Sequence, residues 1–147
     1  MRKLALAAVV ATSVAGCGWT PGLGREELVA EPTACAPQRF EVYFAEGEAR
    51  LTNAALQAIG LTATQLQGCA IRRVQVVGLA DPGGGVEANL DLSEQRALAV
   101  TEALTAAGWP APAFEIGAAG ESGATTPGGA VQPMRRRTEV LVDAAPM

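Results

Sequence analysis

The stretch that decides the fold is Gly78-Leu79-Ala80-Asp81-Pro82-Gly83-Gly84-Gly85, followed at once by Val86-Glu87-Ala88-Asn89-Leu90-Asp91-Leu92-Ser93-Glu94-Gln95-Arg96-Ala97. The residues that lead into it, Ile71 to Leu79, are few and rich in β-branched types, the composition of a strand. Asp81-Pro82-Gly83-Gly84-Gly85 breaks that strand, which is expected to end near Gly78. Beyond the break, Ser93 reads as the N-cap of a helix whose inner face is Ala97, Val100, Leu104 and Ala107, with Gly108 and Pro110 ending it. This order puts Asp81 at the C-terminal mouth of a strand, where open sheets place ligand groups. Arg96 falls three residues after the expected cap, where a capping box asks for Glu or Gln and the helix dipole disfavours a cation. Two charges that local physics does not choose are candidates for function. The plainer alternatives are that Asp81 and Arg96 pair with each other, or that Arg96 turns to solvent, because exposed charges are worth little.

Working outward, Phe40-Glu41-Val42-Tyr43-Phe44 alternates Phe40, Val42 and Phe44, which marks a strand with one strongly apolar face. Ala45 to Arg50 reads as a loop. Leu56, Ile59, Ala63 and Leu66 then fall at helical spacing, with Thr52 or Asn53 as the N-cap and Gly60 weakening the helix by about 1 kcal/mol. On the other side, Phe114 to Ala118 is a short third strand, Gly120 to Pro133 a long loop expected to be mobile, and Thr138 to Val142 a last strand with Val140 and Val142 on one face. The order β-α-β-α-β-loop-β predicts an α+β fold: a two-layer sandwich with helices on one face of a small mixed sheet.

The chain has 147 residues, enough for one domain, with 11 basic and 15 acidic side chains for a formal charge of −4, and no histidine. The missing imidazole excludes His-based catalytic triads and the commonest zinc and iron ligand sets. An acidic balance gives no electrostatic footprint for nucleic acid. No metal, cofactor or catalytic residue is expected.

Arg2 and Lys3, then an apolar run from Leu4 to Gly16, have the form of a secretory signal peptide over residues 1–16. The run falls short of the roughly 20 residues that a bilayer-spanning helix needs. Val14-Ala15-Gly16-Cys17 resembles the bacterial lipobox, which implies a lipoprotein acylated at Cys17, its first mature residue. Several acyl chains, palmitate among them, give durable anchoring where one gives marginal binding. Gly18 follows instead of the Asp that retains lipoproteins at the inner membrane, and so the resemblance favours the outer membrane. Cleavage removes the only lysine and leaves every positive charge a guanidinium. Residues 17–37 read as a lipidated N-terminus and solvated tether, kept in water by Glu26, Glu27 and Glu31, and residues 38–147 as the folded domain. From Cys17 to Cys35 such a tether reaches ~60 Å fully extended and averages ~25 Å. With Cys17 committed to lipid, Cys35 and Cys69 are most simply a disulfide, worth up to about 4 kcal/mol by loop closure, with two free thiols as the alternative.

The segment Gly78-Leu79-Ala80-Asp81-Pro82-x-Gly84, followed by Asn89-x-x-Leu92-Ser93-x-x-Arg96-Ala97, resembles the signature of the OmpA-like peptidoglycan-binding domain, G-H-T-D-x-x-G then N-x-x-L-S-x-x-R-A. The flanks agree: Val42-Tyr43-Phe44 with Leu51-Thr52 is similar to the family's first strand and helix start, Gly120-Glu121 to its G-x-G-E turn, and Arg136-Arg137-Thr138-Glu139 to its N-R-R-V-E ending. The resemblance spans roughly residues 39–143 and implies the OmpA-like fold. It also implies noncovalent binding of the diaminopimelate of the peptidoglycan stem peptide, whose side chain ends in an ammonium and a carboxylate. By this resemblance Asp81 accepts from the ammonium, Arg96 forks onto the carboxylate, and Asn89 adds a neutral hydrogen-bonding group. Leu79 and Ala80 stand where the family has His and Thr, and Arg135 where it has Asn. The implied role is a lipoprotein that ties the outer membrane of a Gram-negative bacterium to its wall, with the domain in the periplasm. The alternative is a degenerate domain acting as an adaptor for other envelope proteins.

Enzyme motifs are near-misses. Gly120-Glu121-Ser122-Gly123-Ala124 approaches a nucleophile elbow but lacks its last glycine and any histidine to activate Ser122. Gly83-x-Gly85-x-x-Ala88 approaches a dinucleotide fingerprint, yet the helix is expected to wait until Ser93 and Asp81 beside it repels a pyrophosphate. Arg135-Arg136-Arg137 reads either as an anion site or, more plainly, as the solvated start of the last strand. Trp109 is expected to cap the core.

Overall fold

The computed structural model describes residues 35–132 and 134–147. Cys17, the signal-peptide reading of residues 1–16 and the tether up to residue 34 lie outside the described residues. Six elements follow one another: β1 (Gln38–Tyr43), α1 (Asn53–Gln65), β2 (Cys69–Gly78), α2 (Val86–Ala106), β3 (Phe114–Ala118) and β4 (Arg137–Pro146). They form an α+β fold with one four-stranded mixed sheet in the order β1-β4-β2-β3. β4 lies antiparallel between β1 and β2, and β3 runs parallel beside β2.

Period-two alternation sends Val42, Val74, Val76, Val140, Val142 and Ala144 into the core, where they meet Ile59, Leu66, Val100, Leu104 and Trp109. The opposite sheet face is a ladder of charges, with Arg39 2.9 Å from Glu139, Arg137 2.7 Å from Glu139 and 3.4 Å from Glu41, and Arg73 3.9 Å from Glu115. The exposed Arg73–Glu115 pair keeps its part of the face solvated more than it stabilises it, whereas Arg137 and Glu139 are largely covered. β4 is longer than its apolar core predicts because Ala144, Ala145 and Pro146 continue to pair with Ile71, Ala70 and Cys69. Cys69 also closes the disulfide with Cys35, Cα to Cα 5.4 Å. The two cysteines are therefore joined, which ties Cys35 to the start of β2.

α1 begins as expected, the Thr52 hydroxyl accepting the Ala55 N–H at 3.1 Å. Its buried stripe is Ala55, Ile59 and Ala63, with Leu66 at its C-cap; Leu56 is 47% exposed, one residue out of register with the core. α2 corrects the sequence reading more deeply. It starts at Val86 after Gly85, and Ser93 lies in its interior. Asp81 to Gly85 completes the turn that ends β2, with Gly84 at φ +99°, and Glu87 in the first helical turn complements the dipole. Buried Ser93 acts as a tie: its hydroxyl donates to the Leu90 carbonyl at 2.7 Å and accepts the Gly120 N–H at 3.0 Å. Ala107 is the C-cap and is exposed, while Trp109 is buried and closes the core, as its position after Gly108 suggested. The segment after Gly120 is more organised than its composition implies, with Thr125 bridged to Val131 and Ala124 buried.

One contact fixes α2 against β2. A Cβ at Gly78 would stand 1.8 Å from the Ser93 carbonyl oxygen, so the strand and helix backbones approach to a distance that only glycine allows.

Candidate functional site

A cavity of about 250 Å³ opens at the C-terminal end of β2, lined by Glu46, Gly47, Asp81, Gly83, Gly84, Asn89, Leu92 and Arg96. Asp81, Asn89 and Arg96, singled out from the sequence, thus converge on one cavity. They do not share one exposure.

Arg96 is 1% exposed and forms the inner wall. Its Nε donates to the Glu48 carbonyl at 2.8 Å, Nη1 to the Leu79 carbonyl at 2.9 Å and Nη2 to the Ala45 carbonyl at 3.3 Å. The guanidinium also lies over the Phe44 ring, 5.2 Å from its centroid. Burial lowers the Arg96 pKa, and the negative charge of Asp81 acts in the opposite direction. A guanidinium has five N–H donors, so two are not engaged by these three carbonyls. The residue that looked misplaced near a helix start is in fact in the third turn of α2, where the dipole objection weakens, and it joins that helix to the β1–α1 loop and the end of β2.

Asp81 has a half-exposed side chain. One carboxylate oxygen, Oδ1, accepts the Arg135 backbone N–H at 2.9 Å, and Oδ2 stands 3.8 Å from Arg136 Nη1. The ion pair of Asp81 is with Arg136 and not with Arg96, which disposes of the plainer reading of the Asp81 and Arg96 charges. Asn89 is buried, and its Nδ2 donates to Glu121 Oε2 at 2.6 Å. Glu121 follows Gly120, whose φ of +51° and N–H to Ser93 pin that turn beside α2. Leu79 and Ala80, at the positions of the family's His and Thr, are both buried and outside the cavity lining. Their backbones hold the strand end through Leu79 N–H to the Arg137 carbonyl at 2.9 Å and Ala80 N–H to the Gly120 carbonyl at 2.8 Å.

The three consecutive arginines form no common patch. Arg135 is 8% exposed, its Nη2 donates to the Ser122 carbonyl, and its Nε has no partner among the described residues. Burial, then the Arg137 charge, lowers its pKa. Arg136 turns to Asp81, and Arg137 enters the charged sheet face beside Glu41 and Glu139. Sequence reasoning overlooked Glu46 and Gly47 in the lining, and read Leu92 only as a signature position; no periodicity marks a loop residue such as Glu46.

This fold and cavity define a class of small α+β domain with a polar receptor at the end of a central strand. The chain belongs to the OmpA family, whose pattern matches residues 43–137. Among solved structures it is similar to the OmpA-like domain of FopA1 from Francisella tularensis, at 26% identity over 75% of this chain and 73% of that one, with a TM-score of 0.64. The peptidoglycan-associated lipoprotein from Burkholderia pseudomallei shares the fold at 22% identity over 69% of this chain and 88% of that one, with a TM-score of 0.60. So does the cell wall anchor of the type VI secretion system from Pseudomonas aeruginosa, at 23% identity, 74% and 82% coverage and a TM-score of 0.59. No curated protein matches the chain.

Proposed function

We propose that this protein is a noncatalytic outer-membrane lipoprotein, acylated at Cys17, whose domain binds peptidoglycan through the diaminopimelate of the stem peptide and so ties membrane to wall from the periplasmic side. The observation that carries this reading is one cavity holding a carboxylate, Asp81, and a buried guanidinium, Arg96, with two N–H donors to spare. A side chain ending in an ammonium and a carboxylate needs one anion and one cation held apart, and charge-assisted bonds to each end are the strong kind. Membership of the OmpA family and the likeness to a peptidoglycan-associated lipoprotein and a cell wall anchor support the same ligand. The sequence of the first seventeen residues supports the anchor.

The test is cosedimentation of the full chain, in nonionic detergent, with purified diaminopimelate-type sacculi. Asp81→Asn is the informative variant, because its amide oxygen still accepts the Arg135 N–H while the charge is gone. Loss of pelleting in Asp81→Asn with an unchanged melting temperature is the expected result. Wild-type protein left in the supernatant would contradict wall binding and leave the adaptor role as the better account.

A further inference from the structure

Besides Asp81, the cavity lining includes a second carboxylate, Glu46. It sits in a tight turn in which the Glu48 N–H donates to the Ala45 carbonyl at 3.1 Å and Gly47 adopts φ +68°. Glu46 and Gly47 are therefore the two central residues, and the positive φ at the second of them calls for glycine. The carbonyls at both ends of this turn, Ala45 and Glu48, are the acceptors of Arg96 Nη2 and Nε. The turn is thus fastened at both ends to Arg96 of α2, and its two central residues line the cavity. The Glu46 side chain is exposed and has no hydrogen-bond or ion-pair partner among the described residues. Asp81 is more committed, with one oxygen on the Arg135 N–H and the other facing Arg136.

We infer that Glu46 is a second acceptor for the ligand, a carboxylate that takes part of a primary ammonium shared with Asp81 while Arg96 receives the ligand's acid end. A primary ammonium carries three N–H donors, more than one half-occupied carboxylate satisfies. Two carboxylates around one cation select ligands with a free amine over ligands in which it is blocked. This assignment rests on the peptidoglycan-binding reading and adds to it a residue outside the signature, at a loop position.

The test is calorimetric titration of the full chain in nonionic detergent with a monomeric muropeptide carrying the free diaminopimelate amine, comparing wild type, Glu46→Gln and Asp81→Asn at about 50 mM and about 1 M salt. Glu46→Gln is expected to weaken binding about three- to fivefold at the lower salt, the range for an exposed ion pair, and to match wild type at the higher one. A loss of equal size at both salt concentrations, as a change in loop structure would give, overturns the assignment. So does no loss at either. Wild-type protein that binds no muropeptide overturns the wall-binding reading and this one with it, whereas loss in Asp81→Asn alone overturns only the role of Glu46.

Discussion

Arg96 does two jobs with one side chain. It fastens the β1–α1 loop and the end of β2 to α2 through three carbonyls, and under the proposed function its two remaining N–H donors serve the ligand. A lysine keeps the charge but has a single flexible ammonium that cannot span three acceptors in a plane. Arg96→Lys is therefore expected to lower stability by about 3 kcal/mol as carbonyls lose their donor, read as a fall in the urea midpoint; a midpoint within error of wild type would show the three bonds to be dispensable. Gly78 is as constrained, since a methyl group there would overlap the Ser93 carbonyl oxygen at 1.8 Å. Relief requires β2 and α2 to separate, so Gly78→Ala is expected to cost about 3 kcal/mol or more by urea unfolding, and a loss below about 1 kcal/mol would contradict so close an approach.

The elements differ in how far they were legible. β1, β2 and the start of α1 could be read because each buries or leads into a regular apolar pattern, Val42 and Phe44, Val74 and Val76, and Ile59 and Ala63 behind the Thr52 cap, whereas β3 was legible from its short apolar composition although Ile116 is exposed. The first turns of α2 could not, because Val86 and Leu90 are exposed and what the helix buries there is Asn89, Ser93 and Arg96. A helix that turns polar groups inward to build a site gives no apolar stripe until Ala97, and the period therefore began too late. Asp81, Asn89 and Arg96 were found from the signature and from Arg96 being locally out of place, whereas Glu46, on a loop, carried no pattern. At this scale the disulfide invites a direct test, since it ties Cys35 to the first residue of β2 across a separation of 34 residues. Replacing both cysteines by serine is expected to lower stability by about 2–4 kcal/mol and to leave sacculus binding intact, because the cavity lies at the other end of β2. Unchanged stability would mean that the bridge constrains nothing the strands do not already hold.

Over the molecule as a whole, β2 links two ends with different tasks. Cys69 at its start is bonded to Cys35, the first described residue, and the loop after Gly78 at its finish carries Asp81 into the cavity. Under the proposed function this polarity suits a tether, with the attachment at one end of a central strand and the ligand at the other. The charged outer sheet face and the acidic total, with formal charge −4, keep the body of the domain in water and leave recognition to the cavity. Cosedimentation with diaminopimelate-type sacculi, wild type against Asp81→Asn at equal thermal stability, tests the central claim most directly. Loss of one charge-assisted contact predicts at least a roughly tenfold weaker association for the variant. Equal pelleting of the two proteins would contradict the claim that Asp81 in this cavity is what holds the wall.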